Sequence, residues 1–163
     1  GWAAVSIRAV ASRCSVSAGT IYNYYESKAD LLSDTIESIW HEIFFHPEDE
    51  QVFHDVESCI SWIYERLEYG NRQFPGFFSL HSFGFMRDEK TSGKKRMMKT
   101  WGHILNGLCE VLENDPKVRA DVFDQEFTEK KFADILFSLI LVSMIRQDYD
   151  PSSVLMLVKK TLY

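Results

Sequence analysis

Apolar side chains recur three and four positions apart along almost the whole chain, and alternation with a period of two is scarce. That spacing predicts amphipathic helices and an all-α protein. Ser6 is placed to cap a first short helix, with Val5 and Val10 spaced as a hydrophobic staple and the end near Arg13. Ser17 caps a second short helix through Tyr22, in which Ile21 is the aliphatic anchor. Ser27-Lys28-Ala29-Asp30 has capping-box spacing and opens a long helix striped by Leu31, Leu32, Ile36, Ile39, Trp40, Ile43 and Phe44, which Pro47 stops. The next helix is expected from about Val52, with Val56, Cys59, Ile60, Ile63 and Leu67 on one face and Gly70 as its C-terminal stop.

Phe74-Pro75-Gly76 then leads into an aromatic segment, and the basic stretch Lys90 to Lys99 into an amphipathic helix that Asp115-Pro116 breaks. Val118, Val122 and Phe123 fit either a short helix or a packed loop. Phe132 to Ile145 is apolar around most of its circumference, so it needs cover on both sides. Asp150-Pro151 starts a last helix carrying Val154, Leu155, Leu157, Val158 and Leu162.

With 163 residues, 45% of them hydrophobic, the chain suffices for one compact unit or two small ones sharing a helix. No apolar run approaches the ~20 residues that cross a bilayer, so no membrane association is expected. Cys14, Cys59 and Cys109 are far apart and form no CxxC pair, which fits reduced thiols. Gly1-Trp2-Ala3-Ala4 carries no targeting pattern, and a cytoplasmic location is expected. The net charge of −6 argues against indiscriminate coating of nucleic acid, although it leaves room for a small DNA-reading module.

No catalytic constellation, metal site or cofactor loop is apparent. Ser92-Gly93-Lys94-Lys95 lacks the preceding glycine and following hydroxyl of a P-loop, and His41, His46 and His54 are not spaced as a helical zinc pair.

Two short helices joined by a tight turn between Ile7 and Tyr25 make a helix-turn-helix unit. Ala11 is small where the helices approach, and Val10, Cys14, Val16, Ile21 and Tyr24 are expected to fill the core between them. Ala18, Gly19, Thr20, Tyr22 and Asn23 are then left facing outward, without a bulky aliphatic side chain, as entry into a major groove requires.

Ser6-Ile7-Arg8-Ala9-Val10-Ala11, Val16-Ser17-Ala18-Gly19-Thr20-Ile21-Tyr22-Asn23-Tyr24-Tyr25 and Ser27-Lys28-Ala29-Asp30-Leu31-Leu32 together resemble the DNA-binding segment of the TetR family of bacterial transcriptional regulators. The resemblance covers about the first 35 residues. Two departures stand out. Ser15 occupies a turn position that the family usually gives to glycine, and most of the family's first helix is absent from this sequence, as in a truncated or incompletely represented chain. The resemblance implies a helix-turn-helix head over residues 1–46, connecting helix (27–46) included, and a helical ligand-binding and dimerisation domain over 47–163. It implies DNA contacts by Arg8, Ser17, Ala18, Gly19, Thr20, Tyr22, Asn23, Tyr24 and Lys28. Ser17 would serve a phosphate with the amides behind it, Gly19 a close backbone approach, Thr20 a base edge and Lys28 a phosphate.

The implied partners are double-stranded operator DNA, a small-molecule effector and a second copy of the chain, because a single helix-turn-helix covers too few base pairs for strong specificity. Phe132, Leu136, Leu139, Ile140, Leu155, Val158 and Leu162 on the two C-terminal helices are the expected dimer interface, packed as a four-helix bundle. Trp40, Phe44, Trp62, Phe77, Phe78, His81, Phe85, Met98 and Trp101 are the candidate lining of an apolar effector pocket. The expected activity is that of a repressor that releases its operator on binding an apolar or aromatic effector. The alternative is a helical interaction protein whose helix-turn-helix no longer binds DNA.

Overall fold

The computed structural model describes residues 5–44, 53–78 and 92–163. Among these residues are seven α-helices and no strand: α1 (Ile7–Arg13), α2 (Ala18–Tyr22), α3 (Lys28–Phe44), α4 (Val56–Gln73), α5 (Ser92–Asn114), α6 (Glu129–Arg146) and α7 (Ser152–Leu162). The architecture is all-α, a helix-turn-helix unit followed by a helical body.

Three serines start the first three helices. Ser6 Oγ accepts from the Ala9 amide at 3.1 Å, Ser17 Oγ from the Thr20 amide at 3.0 Å and Ser27 Oγ from the Asp30 amide at 3.2 Å. Each satisfies a helix-start N–H that has no intrahelical acceptor. Between α1 and α2 the chain turns through Ser15 at φ 56°, with the Val16 amide bonded to the Ala11 carbonyl at 3.0 Å. This is a Schellman closure, and a serine occupies the left-handed position that favours glycine.

Ile7, Ala11 and Ile21 form a small buried cluster, on which Val10, Ala18, Tyr25 and Leu31 pack. Cys14, Val16 and Tyr24, expected inside, are exposed. The left-handed turn rotates Val16 outward, and Tyr24 lies beyond the last residue of α2, so Tyr25 takes the inward position instead. Its hydroxyl donates to Asp34 of α3 at 2.9 Å, a bond to a carboxylate that raises the phenol's pKa above its ordinary value.

A second, larger buried cluster fills the body. There α3 lies against α4 and α5, α6 covers α5, and α7 covers α4. α4 begins at Val56 rather than near Val52 because two carboxylates cap it. Asp55 accepts from the Ser58 amide at 2.8 Å, and the buried Asp115 accepts from the Val56 amide at 2.9 Å. Asp115 also accepts from the Lys117 amide at 2.9 Å and from the Tyr163 hydroxyl, so one side chain ties α4, the turn after α5 and the end of α7 together.

Gly70 does not stop α4, which runs on to Gln73. It is buried where α4 meets α3, and a Cβ there would lie 2.6 Å from Ile43 Cδ1. Residues 115–128 form a packed loop, stapled by Asp124 accepting from the amides of Glu126 and Phe127 and by the clustered rings of Phe123, Phe127 and Phe132.

The register of the last two helices differs from the sequence expectation. Phe132, Leu136 and Ile140 of α6 and Val158 and Leu162 of α7 are buried in the chain's own core, while Leu139 and Leu155 are half-buried. The residues left open are Ile135, Val142, Ile145, Met156 and Leu157. A helix apolar on nearly every side does not disclose in its sequence which side faces inward.

Candidate nucleic-acid interface and cavity

The N-cap at Ser17 fixes where α2 starts, and with it which side chains of that helix remain at the surface. Ser17 Oγ lies 2.9 Å from Thr20 Oγ1 as well as accepting the Thr20 amide, so both hydroxyls sit together at the exposed start of the helix. Ala18, expected outward, is half-buried against Ile7, Ala11 and Ile21 and supports the unit from within.

Gly19 is exposed, and a Cβ there would meet only Ser17 Oγ, at 3.6 Å. Packing therefore does not demand a glycine at this position, although a glycine inside a helix costs about 0.5–1 kcal/mol relative to alanine. Asn23, the C-cap of α2, is exposed, and Tyr22 and Tyr24 hold 56% and 79% of their surface open to solvent. Arg8 is exposed on α1, and Lys28, half-buried, opens α3. One end of the molecule thus presents Gly19, Thr20, Tyr22, Asn23 and Tyr24 with no aliphatic side chain of α2 beside them, because Ile21 points inward.

The body contains a cavity of about 170 Å³ between three helices. Its walls are Phe44 of α3, Phe53 ahead of α4, Cys59, Trp62 and Ile63 of α4, and His103, Ile104, Gly107 and Leu108 of α5. Of the residues expected to line an effector pocket, Phe44 and Trp62 stand in these walls. Trp40, Phe77 and Phe78 instead pack on one another, with Trp40 stacked on Phe44 at 5.7 Å and meeting Phe77 edge-on at 5.5 Å. Trp101 meets Phe137 of α6 edge-on at 5.8 Å. His81 and Phe85 lie outside the described residues, as does the side chain of Met98.

The remaining lining residues came with one weak signal, Gly107, which is one of three glycines in the amphipathic α5. Burial pushes the Cys59 thiol up to about 12, so it faces the cavity as a protonated, weakly polar group and not as a nucleophile.

One side chain links the cavity wall to the connecting helix. Arg66 of α4 donates through Nε to the Ile43 carbonyl and through Nη2 to the Glu42 carbonyl at 3.0 Å, and its guanidinium lies 4.4 Å from the centre of the Tyr69 ring. It donates to two carbonyls in the last described turn of α3 and holds that turn beside Phe44.

Residues 1–35 match the family model of bacterial regulatory proteins, tetR family. The match spans α1, α2 and the first two turns of α3, the elements that carry the exposed face around Gly19 and Tyr22. The match types the N-terminal head as that of these regulators and supports a DNA-binding transcriptional regulator. No curated protein and no solved structure matches it. Among the described residues, no helix is long and apolar enough to cross a membrane.

Proposed function

We propose that the chain reads a two-part operator as a homodimer and loosens its grip when a small apolar effector occupies the body, the behaviour of a ligand-responsive repressor. The observation that carries the DNA-reading part is the face around α2. Glycine stands at 19 without an internal packing reason, and two tyrosines beside it remain largely in water. In this reading Thr20, Tyr22 and Asn23 meet base edges, while Arg8, Ser17, Tyr24 and Lys28 meet the phosphate backbone.

Dimerisation is supported by Ile135, Val142 and Ile145, which with half-buried Leu139 recur at spacings of three and four along the outer face of α6. Such a stripe suits a two-fold contact in which each copy offers the same patch. Met156 and Leu157 add apolar surface on α7. Response to an effector is supported by the path of α3. Its first turns pack on the head through Leu31 and Asp34, and its last residue, Phe44, is a wall of the cavity. A ligand that displaces Phe44 perturbs the same helix that carries the head, and it shifts the equilibrium by its differential affinity for the two arrangements.

Fluorescence anisotropy with DNA from around the chain's own gene, at several salt concentrations, tests the DNA-reading part. Tyr22→Ala or Thr20→Ala should weaken sequence-preferring binding by about 1–3 kcal/mol, and Lys28→Ala should lower the salt slope by about one. Failure of the wild type to bind any of this DNA would instead favour a helical interaction protein with a degenerate head.

A further inference from the structure

We propose that the cavity between α3, α4 and α5 binds an uncharged molecule built on a single aromatic ring, and that the absence of a side chain at Gly107 makes the room for it. The proposal deepens the effector reading and rests on it only for the consequence at DNA.

Size comes first. At about 170 Å³ the cavity is close to the roughly 150 Å³ void that holds one benzene in an apolar protein core, and well below the ~300–1,000 Å³ of sites for drug-sized ligands. One six-membered ring with a small substituent fills that volume, and a fused pair exceeds it and has to extend toward the open side.

Chemistry comes second. Among the described residues that line the cavity there is no Asp, Glu, Lys or Arg, so a carboxylate or ammonium on the ligand would meet no counter-charge from them. The Cys59 thiol stays protonated. Exposed His103 offers one hydrogen-bonding position, at the solvent side, which suits a single hydroxyl. Shape also favours an aromatic ring over an aliphatic one. Phe44 meets Trp62 at 5.8 Å and 61°, and Phe53 meets Trp62 at 5.2 Å and 56°, so ring faces and edges already alternate in the wall. A further ring extends that arrangement with the preferred edge-to-face geometry.

The third observation is Gly107 itself. It lies well inside α5 (Ser92–Asn114), where glycine is unfavourable relative to alanine, and a Cβ built there meets nothing within 4 Å. The open space beside it belongs to the cavity. Gly102 of the same helix is equally open, so what marks Gly107 is its place in the cavity wall.

Calorimetry and ligand-detected NMR on the full chain, using phenol, toluene, benzoate and 1-naphthol as probes, test the proposal. Phenol and toluene are expected to bind, with benzoate and 1-naphthol at least tenfold weaker. Gly107→Leu should weaken phenol at least tenfold, and Gly107→Ala should weaken it by less while raising the melting temperature. The alanine variant keeps the test decisive if leucine compromises folding, because phenol bound to it as tightly as to wild type overturns the proposal. So does failure of both neutral probes to bind, or equal affinity for benzoate and phenol.

Operator binding separates the two levels. Phenol that binds wild type and not Gly107→Leu, yet leaves operator affinity unchanged, upholds the site and sinks the effector reading. Phenol that releases the operator equally well from a folded Gly107→Leu acts elsewhere, which overturns the site and leaves the effector reading standing.

Discussion

Replacing Gly70 by alanine isolates the contact that holds the connecting helix against the body. A Cβ at this position would lie 2.6 Å from Ile43 Cδ1, 2.9 Å from Ile43 Cγ1 and 3.1 Å from Phe78 Cζ. Ile43 has no exposed surface and Phe78 retains 1%, so neither side chain has free space to move into. Alanine gains about 1 kcal/mol of helix propensity, whereas overpacking of a closed core costs about 1–3 kcal/mol. With two side chains displaced at once, the upper part of that range applies, and the net loss is about 1–2 kcal/mol, or roughly 2–8 °C in melting temperature for a chain of this length.

Ile43→Val removes the atom at 2.6 Å and by itself costs about 0.5–1.5 kcal/mol. The double variant should then be more stable than the sum of the singles by about 1 kcal/mol, within the range measured for touching residues. Urea denaturation of the four proteins at one pH gives the cycle. Gly70→Ala as stable as wild type, or strictly additive losses, would refute the close-approach argument.

Three further outcomes are expected. Ser15→Gly should raise stability by up to about 1 kcal/mol, because it removes a left-handed L-residue at the cost of a freer unfolded chain, and a loss in thermal melting would contradict this account of the turn. Asp55, bonded to Lys117 at 2.7 Å and to Ser58, has its carboxyl pKa held well below the ordinary range. Its contribution is complete above the unfolded value of about 3.9 and is lost as pH falls from there toward the folded value, so the advantage of wild type over Asp55→Asn should be present at neutral pH and shrink in acid. A difference that stays constant across that pH series would show that the ion pair is not its source. Val142→Glu, on the open face of α6, should leave helix content intact and turn a dimer into a monomer in light scattering, and a dimer that survives it would remove this stripe from the interface.

The head was readable because its information is local. Serines at 6, 17 and 27 cap helices whose partners lie within three residues, and the turn at Ser15 closes by a bond from the Val16 amide to the Ala11 carbonyl, five positions back. Distance in the sequence defeated the reading elsewhere. α4 starts where it does partly because Asp115, 59 residues further on, accepts its first amide. Gly70 looked like a stop because nothing in its neighbourhood announces Ile43 on another helix. The facing of α6 was illegible for a different reason, since apolar side chains on every side leave no contrast for a periodicity to report. The cavity was half legible: Phe44 and Trp62 advertise apolar surface, while the space beside them comes from a side chain that is missing.

The connecting helix is held at both ends, by Tyr25 on Asp34 near its start and by Arg66 on the carbonyls of Glu42 and Ile43 at its close. The stretch from Asp34 to Ile43 therefore acts as a keyed shaft about 14 Å long within the 17-residue helix. Inserting a single residue between the two grips would turn the reading face by roughly 100° about the shaft and advance it by only about 1.5 Å. Four inserted residues would lengthen the shaft by about 6 Å yet bring the phase back to within roughly 40°. Angular pitch, more than reach, is the quantity that this helix's residue count encodes.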